Sequence, residues 1–242
     1  MSTTPYRKAV ILAGGLGMRL RPLTNLIPKP LLPIGESTIL EVQLLCLKKH
    51  GVQEVFIAAN YMAEYLEAIV RDGSKYGIKI KVSRETEPLG TCGPLSLLRE
   101  ELNEPFFMMN GDILTDINFS NLSEFSASRT ADLTVVTKEI NIPFRFGRVL
   151  SNGDYITEIE EKPTYKQEII AGIYAIKPGA LKYIPTGKYY GVDLLIKDMM
   201  ASNAHVAKYL THDYWIDVGQ LEDYEIAKQD LASKNLNVPS KV

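Results

Sequence analysis

Apolar runs alternate with amphipathic stretches through the first half of the chain. The run Lys8–Ala13 is apolar after its first residue, as expected of a central parallel strand. Thr38–His50 reads as a helix, since Thr38 and Glu41 have capping-box spacing and Gly51 follows the end. The pattern continues with a strand at Glu54–Ala59, a helix in which Met62, Tyr65, Leu66, Ile69 and Val70 share a face, a strand at Ile78–Ser83, a helix at Pro94–Leu102, and strands at Phe106–Asn110 and Asp132–Lys138. This alternation predicts an α/β fold, Rossmann-like, with a mostly parallel sheet, helices on both faces and ligands at the carboxyl ends of the strands.

The second half has a different pattern. Gly147–Ser151 and Tyr155–Lys162 flank Asn152-Gly153, which is a strong hairpin signal and predicts an inserted β-rich lid. The remaining predicted elements are a strand at Ile169–Ile176, a helix at Val192–Ala201, strands at His205–Leu210 and Tyr214–Asp217, and a helix from Leu221 to Ser233. We expect one domain over residues 1–242, with a first half at about 7–140, a second half at about 141–219, and a C-terminal helix and tail at 220–242.

Composition limits the classes of partner. The 242 residues are 23% charged with a formal net charge of −2, so the overall balance recruits neither nucleic acid nor an anionic membrane. Cys46 and Cys92 lack C-x-x-C spacing, which favours reduced thiols in a cytoplasmic protein. The N-terminal residues have no apolar h-region, and no run of 18 apolar residues occurs, so secretion and membrane spanning are disfavoured.

A glycine turn with cationic residues follows the first strand. Gly14, Gly15 and Gly17 allow backbone N–H groups to approach an anion, and Arg19, Arg21 and Lys29 come next. These features predict a triphosphate site. A dehydrogenase fingerprint would need glycine where Leu20 stands, and Pro22 interrupts its helix. The spacing also lacks the four-residue spacer of a Walker A loop.

Two aspartates follow apolar strands. Asp112 closes Met108–Asp112, and Asp217 closes Tyr214–Asp217 before Gly219. Such a carboxylate on its own is more often a turn or N-cap residue. Beside a triphosphate site, however, two carboxylates suit Mg²⁺, which binds through one or two protein carboxylates plus phosphate oxygens. The three histidines are not grouped with one another or with a nucleophile.

The glycine turn and the residues after it resemble the signature of the sugar-1-phosphate nucleotidylyltransferases, G-x-G-x-R-L-x-P-x-T-x-x-x-P-K-P. The matching positions are Gly15, Gly17, Arg19, Leu20, Pro22, Thr24, Pro28, Lys29 and Pro30. The resemblance spans about residues 7–230, and the loop pattern is closest to the mannose- and heptose-1-phosphate guanylyltransferases. It implies a Mg²⁺-dependent enzyme that joins an NTP and a sugar 1-phosphate into an NDP-sugar and pyrophosphate. The first half would bind the nucleotide, and the second half would bind the sugar and supply the second metal ligand. The sequence leaves the oligomeric state open, a homo-oligomer included.

The resemblance also implies roles for individual residues. The catalytic set is Arg19, Lys29, Asp112 and Asp217, of which the two aspartates hold the metal. The nucleotide-binding set is Leu12, Ala13, Gly14, Gly15, Gly17, Glu85, Gly90 and Thr91. The sugar-phosphate set is Gly147, Glu161, Lys162 and Gly172, in which Glu161 and Lys162 belong to an E-K-P element.

The base and the sugar are less constrained by the sequence. An ionised Glu85 offers only acceptors, which suits the donors of guanine, while CTP, UTP and dTTP stay open because related loops use more than one base. Ile170 stands where the family often has a sugar-binding asparagine, and Arg145 and Arg148 flank Gly147, so the acceptor differs from a common hexose phosphate. A non-catalytic nucleotide sensor is the alternative class. It would be expected to lack Lys29 or one of the two aspartates, but all are present.

Overall fold

The structure is a computed structural model that describes residues 6–233. Residues 1–5 and 234–242 lie outside the described part, which includes the predicted C-terminal tail from residue 234 onward. The strands are β1 (Lys8–Leu12), β2 (Pro33–Ile34), β3 (Ser37–Thr38), β4 (Glu54–Ala59), β5 (Lys79–Arg84), β6 (Phe106–Asn110), β7 (Ile113–Thr115), β8 (Leu133–Pro143), β9 (Arg148–Asn152), β10 (Tyr155–Glu160), β11 (Thr164–Ile176), β12 (Val206–Leu210) and β13 (Trp215–Asp217). The α-helices are α1 (Ile39–Lys49), α2 (Ala63–Val70), α3 (Phe119–Ser128), α4 (Val192–Ala201) and α5 (Leu221–Ala232).

Seven strands form the central sheet, in the order β12-β8-β11-β6-β1-β4-β5. The pairs β1–β4, β1–β6, β4–β5 and β8–β12 are parallel, whereas β11 runs antiparallel to both β6 and β8. The mostly parallel α/β sheet predicted from the sequence is therefore confirmed. Strands from both halves of the chain alternate in this one sheet.

Alternating side chains of β1 and its neighbours build a core on each face of the sheet. Ala9 and Ile11 pack with side chains of α1, α2 and α3, while Val10 packs on the opposite face with side chains of α4. A third cluster joins the other side of α1 to α5. This double covering explains why the strands read as continuous apolar runs rather than as alternating ones.

The start of α1 is set by the expected capping box. Thr38 Oγ1 accepts from Glu41 N at 3.1 Å, and Glu41 Oε2 accepts from Thr38 N at 3.0 Å. This arrangement satisfies two of the N–H groups that a helix start leaves without intrahelical partners.

One prediction in the middle of the chain needs correction, and one helix there was not predicted. The segment predicted as a helix at Pro94–Leu102 is a 3₁₀ helix over Gly93–Leu98. Ser96 Oγ donates to Gly93 O at 2.7 Å, so a side-chain hydrogen bond competes for the carbonyl that Leu97 N would use in an α-helix. Helix α3 was not predicted from the sequence. It starts at Asn118, whose side chain accepts from Asn121 N.

The predicted β-rich lid is present as a projecting arm. The outer parts of β8 and β11 pair from Lys138 with Ile169 out to Pro143 with Thr164, and the hairpin β9–β10 lies between them in sequence. We call residues 138–169 the arm. Most of its side chains are exposed, including those of Phe146, Tyr155, Ile156 and Ile159. Within residues 6–233, no helix has the length and apolar character needed to cross a bilayer.

Candidate active site

A cavity of about 320 Å³ opens at the carboxyl ends of β1 and β6, as expected for ligands of a parallel sheet. Most of the residues that the sequence assigns to the nucleotide line it, together with Lys29 and Asp112. Its lining consists of Leu12, Ala13, Gly14, Gly15, Lys29, Pro30, Glu85, Pro88, Gly90, Thr91, Pro94, Asn110, Gly111, Asp112 and Tyr189. Asn110 and Tyr189 are additions that sequence reasoning missed. Asn110 could have been found from its place before Gly111-Asp112, whereas no motif marks Tyr189.

The glycine turn depends on glycine at position 17. Gly17 has φ 59°, a left-handed conformation that side chains rarely adopt, and a Cβ there would lie 2.7 Å from Thr24 Cγ2. Thr24 Oγ1 also donates to Gly17 O at 2.7 Å. This hydrogen bond fixes the turn from which Arg19 projects.

Lys29 sits at the first position of a 3₁₀ helix, Lys29–Leu31, directly after Pro28. Lys29 is only 9% exposed, and its Nζ lies 2.5 Å from Asp112 Oδ2. A lysine this deeply buried is normally paired, and here the pair brings a cation to the wall of the cavity.

The two aspartates meet through a small antiparallel sheet. Asp112 comes just before β7, and Asp217 is the last residue of β13, which pairs with Ile113. Val218 N donates to Asp112 O at 3.0 Å. Because antiparallel strands bring the start of one to the end of the other, both carboxylates lie at the same end of this sheet.

In the described part of the chain, each aspartate also has a buried carboxylate oxygen that accepts no hydrogen bond. Among residues 6–233, Asp112 Oδ1 and Asp217 Oδ1 are buried and have no hydrogen-bond partner. Burial and the nearby Asp112 carboxylate raise the pKa of Asp217, and Lys29 and Arg19 partly offset this. A buried carboxylate oxygen without a partner is costly, so the arrangement calls for a ligand.

A hard divalent cation fits this donor set. Mg²⁺ prefers carboxylate oxygens and commonly takes only one or two from the protein, the others coming from water and phosphate. Within residues 6–233, no cluster of three or more candidate metal-ligating side chains is found. The pair Asp112 and Asp217 therefore fits a metal shared with a phosphate ligand rather than an all-protein cage.

Arg19 lies on the other side of Asp217. Its guanidinium is 3.4 Å from where a Cβ of Gly219 would be, and Asp217 Oδ1 is 3.5 Å from that same point. Arg19 is exposed, so its charge is available to a ligand in solution. The structure thus groups the four residues predicted to be catalytic around one point at the edge of the cavity.

Glu85 lies between the glycine turn and the loop that follows β5. Its Oε2 accepts from Leu89 N at 3.0 Å, and its Oε1 is 3.1 Å from the position of a Cβ on Gly14. Burial raises the pKa of Glu85, and the hydrogen bond from Leu89 partly offsets the shift. One carboxylate oxygen therefore organises the loop, and the other faces the glycine turn.

Tyr189 and Thr91 connect this loop to the second half of the chain. The Tyr189 ring packs over Gly90, 3.1 Å from where a Cβ would lie, and is 69% exposed. Thr91 Oγ1 accepts from Val192 N at 2.7 Å, at the start of α4. An open aromatic face thus stands beside the backbone of Gly90.

The residues predicted to bind the sugar phosphate are less tightly grouped. Gly172, with φ 69°, does not line the cavity but lies beside Asn110, which does, and a Cβ at Gly172 would lie 2.7 Å from Asn110 Nδ2. Gly147 lies in the arm close to Glu161, whose Oε2 is 3.1 Å from a Cβ built at Gly147. Lys162 has a left-handed backbone, φ 47°, which is uncommon for a residue with a side chain. Gly147, Glu161 and Lys162 do not line the cavity.

The departures noted in the sequence also lie in or beside the arm. Ile170 is 47% exposed and pairs with Thr137. Arg148 Nη1 lies 3.0 Å from Glu160 Oε2, and the Arg148 guanidinium lies over the Tyr165 ring. Arg148 is therefore engaged within the arm.

The fold and the site define a class of α/β protein in which a glycine turn and paired carboxylates lie at the carboxyl ends of the strands. The sequence matches the Nucleotidyl transferase family over residues 8–234, and the chain belongs to that family. The resemblance predicted from its motifs is confirmed.

The chain is similar in sequence to two mannose-1-phosphate guanylyltransferases and similar in structure to HddC. The chain is 37% identical over 226 residues to the probable mannose-1-phosphate guanylyltransferase 1 of Oryza sativa subsp. japonica. It is 38% identical over 228 residues to the mannose-1-phosphate guanylyltransferase catalytic subunit beta of Danio rerio. Each match covers 90% of this chain but 62% of the relative, so the chain spans less than two thirds of their length. The crystal structure of HddC from Yersinia pseudotuberculosis complexed with GMP-PN superposes with a TM-score of 0.73 at 27% identity, covering 93% of this chain and 99% of HddC.

Proposed function

We propose that this chain transfers a nucleotidyl group from an NTP to a sugar 1-phosphate, giving an NDP-sugar and pyrophosphate. The observation that carries the proposal is the pair of buried, partnerless carboxylate oxygens of Asp112 and Asp217, next to Lys29 and at the edge of a glycine-lined cavity. The whole chain would act as one nucleotidylyltransferase domain, since strands of both halves share the central sheet.

Catalysis in this proposal is positioning and charge neutralisation. The phosphate oxygen of a sugar 1-phosphate is already anionic at neutral pH, so no general base is needed. Mg²⁺ held by Asp112 and Asp217 would neutralise phosphate charge. Lys29, which is fixed on a short 3₁₀ helix, would lie between the α-phosphate and the incoming phosphate, where fixed positive charge is most effective.

The remaining roles follow from where the side chains lie. Arg19 is exposed beside Asp217 and would draw charge from the leaving pyrophosphate. Backbone N–H groups of the glycine turn would contact the phosphates of the nucleotide. Lys162, in the connection between β10 and β11 of the arm, would orient the sugar phosphate.

Guanine is the favoured base. Glu85 lines the cavity and, when ionised, offers only acceptors, which suits the N1–H and N2–H₂ donors of guanine; Leu89 N uses Oε2, so Oε1 is the oxygen left for the base. The names of the rice and zebrafish relatives as guanylyltransferases support the same choice. The same names make mannose 1-phosphate the first acceptor to test, although Ile170 and Arg148 favour an acceptor other than a common hexose phosphate. CTP, UTP and dTTP are the competing donors.

The test is pyrophosphate release across a grid of four NTPs and several sugar 1-phosphates, with product masses. GTP with one sugar 1-phosphate should give a product of NDP-sugar mass. A chain that binds NTP tightly and releases no pyrophosphate with any acceptor would instead be a nucleotide sensor. Preference for CTP, UTP or dTTP would remove the guanine assignment alone.

We further propose a homo-oligomer formed through the arm. Val149 pairs with Ile159 and Ser151 with Ile156, so Val149, Ile156 and Ile159 share one exposed face that carries no charge. We propose that this face packs against the same face of a second copy of the chain, because two uncharged faces can pack together without like-charge repulsion. Light scattering should show a dimer that Ile156→Lys with Ile159→Lys dissociates, whereas Glu158→Lys on the opposite face should not. A monomeric wild-type chain would contradict the proposal.

Location in the cytoplasm is also a proposal. Its support is that both cysteines, Cys46 and Cys92, are free and buried, and burial raises the pKa of each thiol to about 12. Thiols of this kind are inert and pack as small apolar side chains.

A further inference from the structure

A buried glutamine on α1 contacts both ends of the turn that carries Asp112. Gln43 is 2% exposed and lies on a helix whose neighbouring positions are apolar. Its Nε2 donates to Asn110 O at 2.9 Å and to Ile113 O at 2.8 Å. These two carbonyl groups stand on either side of Gly111-Asp112, so one side-chain amide spans the turn.

Other elements hold the same turn from different directions. Gly111 N donates to Leu12 O at 2.8 Å, which ties the turn to the end of β1. Val218 N donates to Asp112 O, which ties it to the residue after β13, and Lys29 contacts the Asp112 carboxylate. Gln43 adds the tie from α1 and, unlike Lys29, does not touch the carboxylate itself.

The orientation of the Gln43 amide is set by the turn. A flipped amide would place Oε1 against two carbonyl oxygens, so the NH₂ group must face them. Within the described residues, Oε1 is then left buried without a hydrogen-bond partner. An unsatisfied buried acceptor is a cost that an apolar residue at this position would not carry, so packing alone does not account for a glutamine here.

We propose that Gln43 is a positioning residue that fixes the Asp112 turn, and with it the direction in which Asp112 presents its carboxylate to a divalent cation. The cation part rests on the proposed function, whereas the hold on the turn does not. Residues that orient metal ligands typically change metal affinity or activity by 10- to 100-fold when removed.

The test uses Gln43→Met, which keeps a straight side chain of similar length and can donate to neither carbonyl group. The matched control is Tyr6→Phe, which removes a different buried hydrogen bond, from Tyr6 OH to Ser126 Oγ. Amide hydrogen exchange of Gly111 and Val218 is measured in metal-free protein, and Mn²⁺ binding is followed by the EPR signal of free Mn²⁺. We expect both amides to exchange faster in Gln43→Met than in wild type, and the variant to bind Mn²⁺ about 10- to 100-fold more weakly. Tyr6→Phe should match wild type in both.

Exchange at the wild-type rate in Gln43→Met would overturn the proposal whether or not the chain is an enzyme. Faster exchange with unchanged Mn²⁺ affinity would overturn the step from the turn to the cation. A wild-type chain that binds no Mn²⁺ would instead refute the metal part of the proposed function, and the exchange data would still decide the hold on the turn. If Gln43→Met does not fold, Gln43→Leu keeps an apolar side chain of similar volume and likewise donates to neither carbonyl group. It should show the same faster exchange, and wild-type exchange in that variant would equally overturn the proposal.

Discussion

Replacing Lys29 with methionine should separate the structural from the catalytic role of the ion pair in the cavity wall. Lys29→Met keeps a side chain of similar length and removes the charge 2.5 Å from Asp112 Oδ2. In metal-free protein the variant leaves Asp112 and Asp217 as neighbouring anions without this counter-ion. Both effects are measurable before any substrate is known.

The size of the stability loss follows from the exposure of the pair. Breaking a fully buried pair costs about 3–5 kcal/mol, because a charge is left uncompensated. The Lys29 side chain is 10% exposed and the Asp112 side chain 27%, so solvent screens part of the loss, and we expect about 2 kcal/mol. In a chain of this size that corresponds to a fall in Tm of roughly 4–8 °C. Added Mg²⁺ should recover part of the fall, because it supplies the missing positive charge.

The catalytic effect should be larger than the effect on NTP binding. Removal of one preorganised electrostatic contact lowers kcat by about 10²–10³. Thermal melts with and without Mg²⁺, calorimetric NTP binding and pyrophosphate release measure the three quantities.

The matched control for this variant is Lys8→Met. The Lys8 side chain is also largely buried, and its Nζ donates hydrogen bonds to Glu101 O and Asn103 Oδ1. Lys8 is the first residue of β1 and lies at the end of the strand away from the cavity. It should lose stability without any response to Mg²⁺. A kcat within threefold of wild type in Lys29→Met, or a Tm deficit that Mg²⁺ leaves unchanged, would refute this reasoning.

Three further variants test the other roles. Asp217→Asn should abolish most turnover. In metal-free protein it should also raise the Tm near neutral pH, because the pKa of Asp217 is raised in the fold and its charge destabilises the fold above that pKa. This gain in Tm should vanish as the pH falls below about 3.9, the ordinary pKa of aspartate. A variant that keeps near-wild-type kcat would exclude Asp217 as a metal ligand. Lys162→Ala should chiefly raise KM for the sugar phosphate, and a kinetic signature identical to that of Lys29→Met would contradict the division of roles. Glu85→Gln should lower kcat/KM for GTP by about 5- to 150-fold, from about 1–3 kcal/mol for a mismatched buried hydrogen bond, while UTP gains relative to GTP; unchanged discrimination would remove Glu85 from base recognition.

Local patterns in the sequence predicted several elements well, in both halves of the chain. The apolar run Lys8–Ala13, the capping box at Thr38 and the turn at Asn152-Gly153 each depend on neighbouring residues, and the structure has a strand, a helix start and a hairpin there. The glycine turn and Lys29 lie within one short stretch of chain, so their grouping is also a local property.

Features that depend on distant contacts were not predicted. Helix α3 has few apolar residues, and its core face, with Phe119 and Leu122, becomes evident only against the sheet. Tyr189 reaches the cavity because its segment pairs with the loop after β5, where Tyr190 N donates to Leu89 O. Gln43 looks like an isolated polar residue in an apolar helix until the Asp112 turn is placed beside it.

The position of the two carboxylates explains why sequence reasoning needed both the neighbouring triphosphate site and the family resemblance to predict a metal site. An aspartate after a strand is ordinarily a turn or cap residue, and Asp112 and Asp217 are far apart in the chain. The pairing of β7 with β13 brings them together, and the surrounding structure then leaves one oxygen of each buried without a partner. Local propensity offers no reason for such an arrangement, and stability argues against it, because like charges in a buried site raise the free energy of the fold. Functional sites are where a fold tolerates such conflicts. The unsatisfied carboxylates, the buried Lys29 and the half-satisfied Gln43 all occur around one turn, and this shared location is the strongest physical sign that the turn binds a charged ligand.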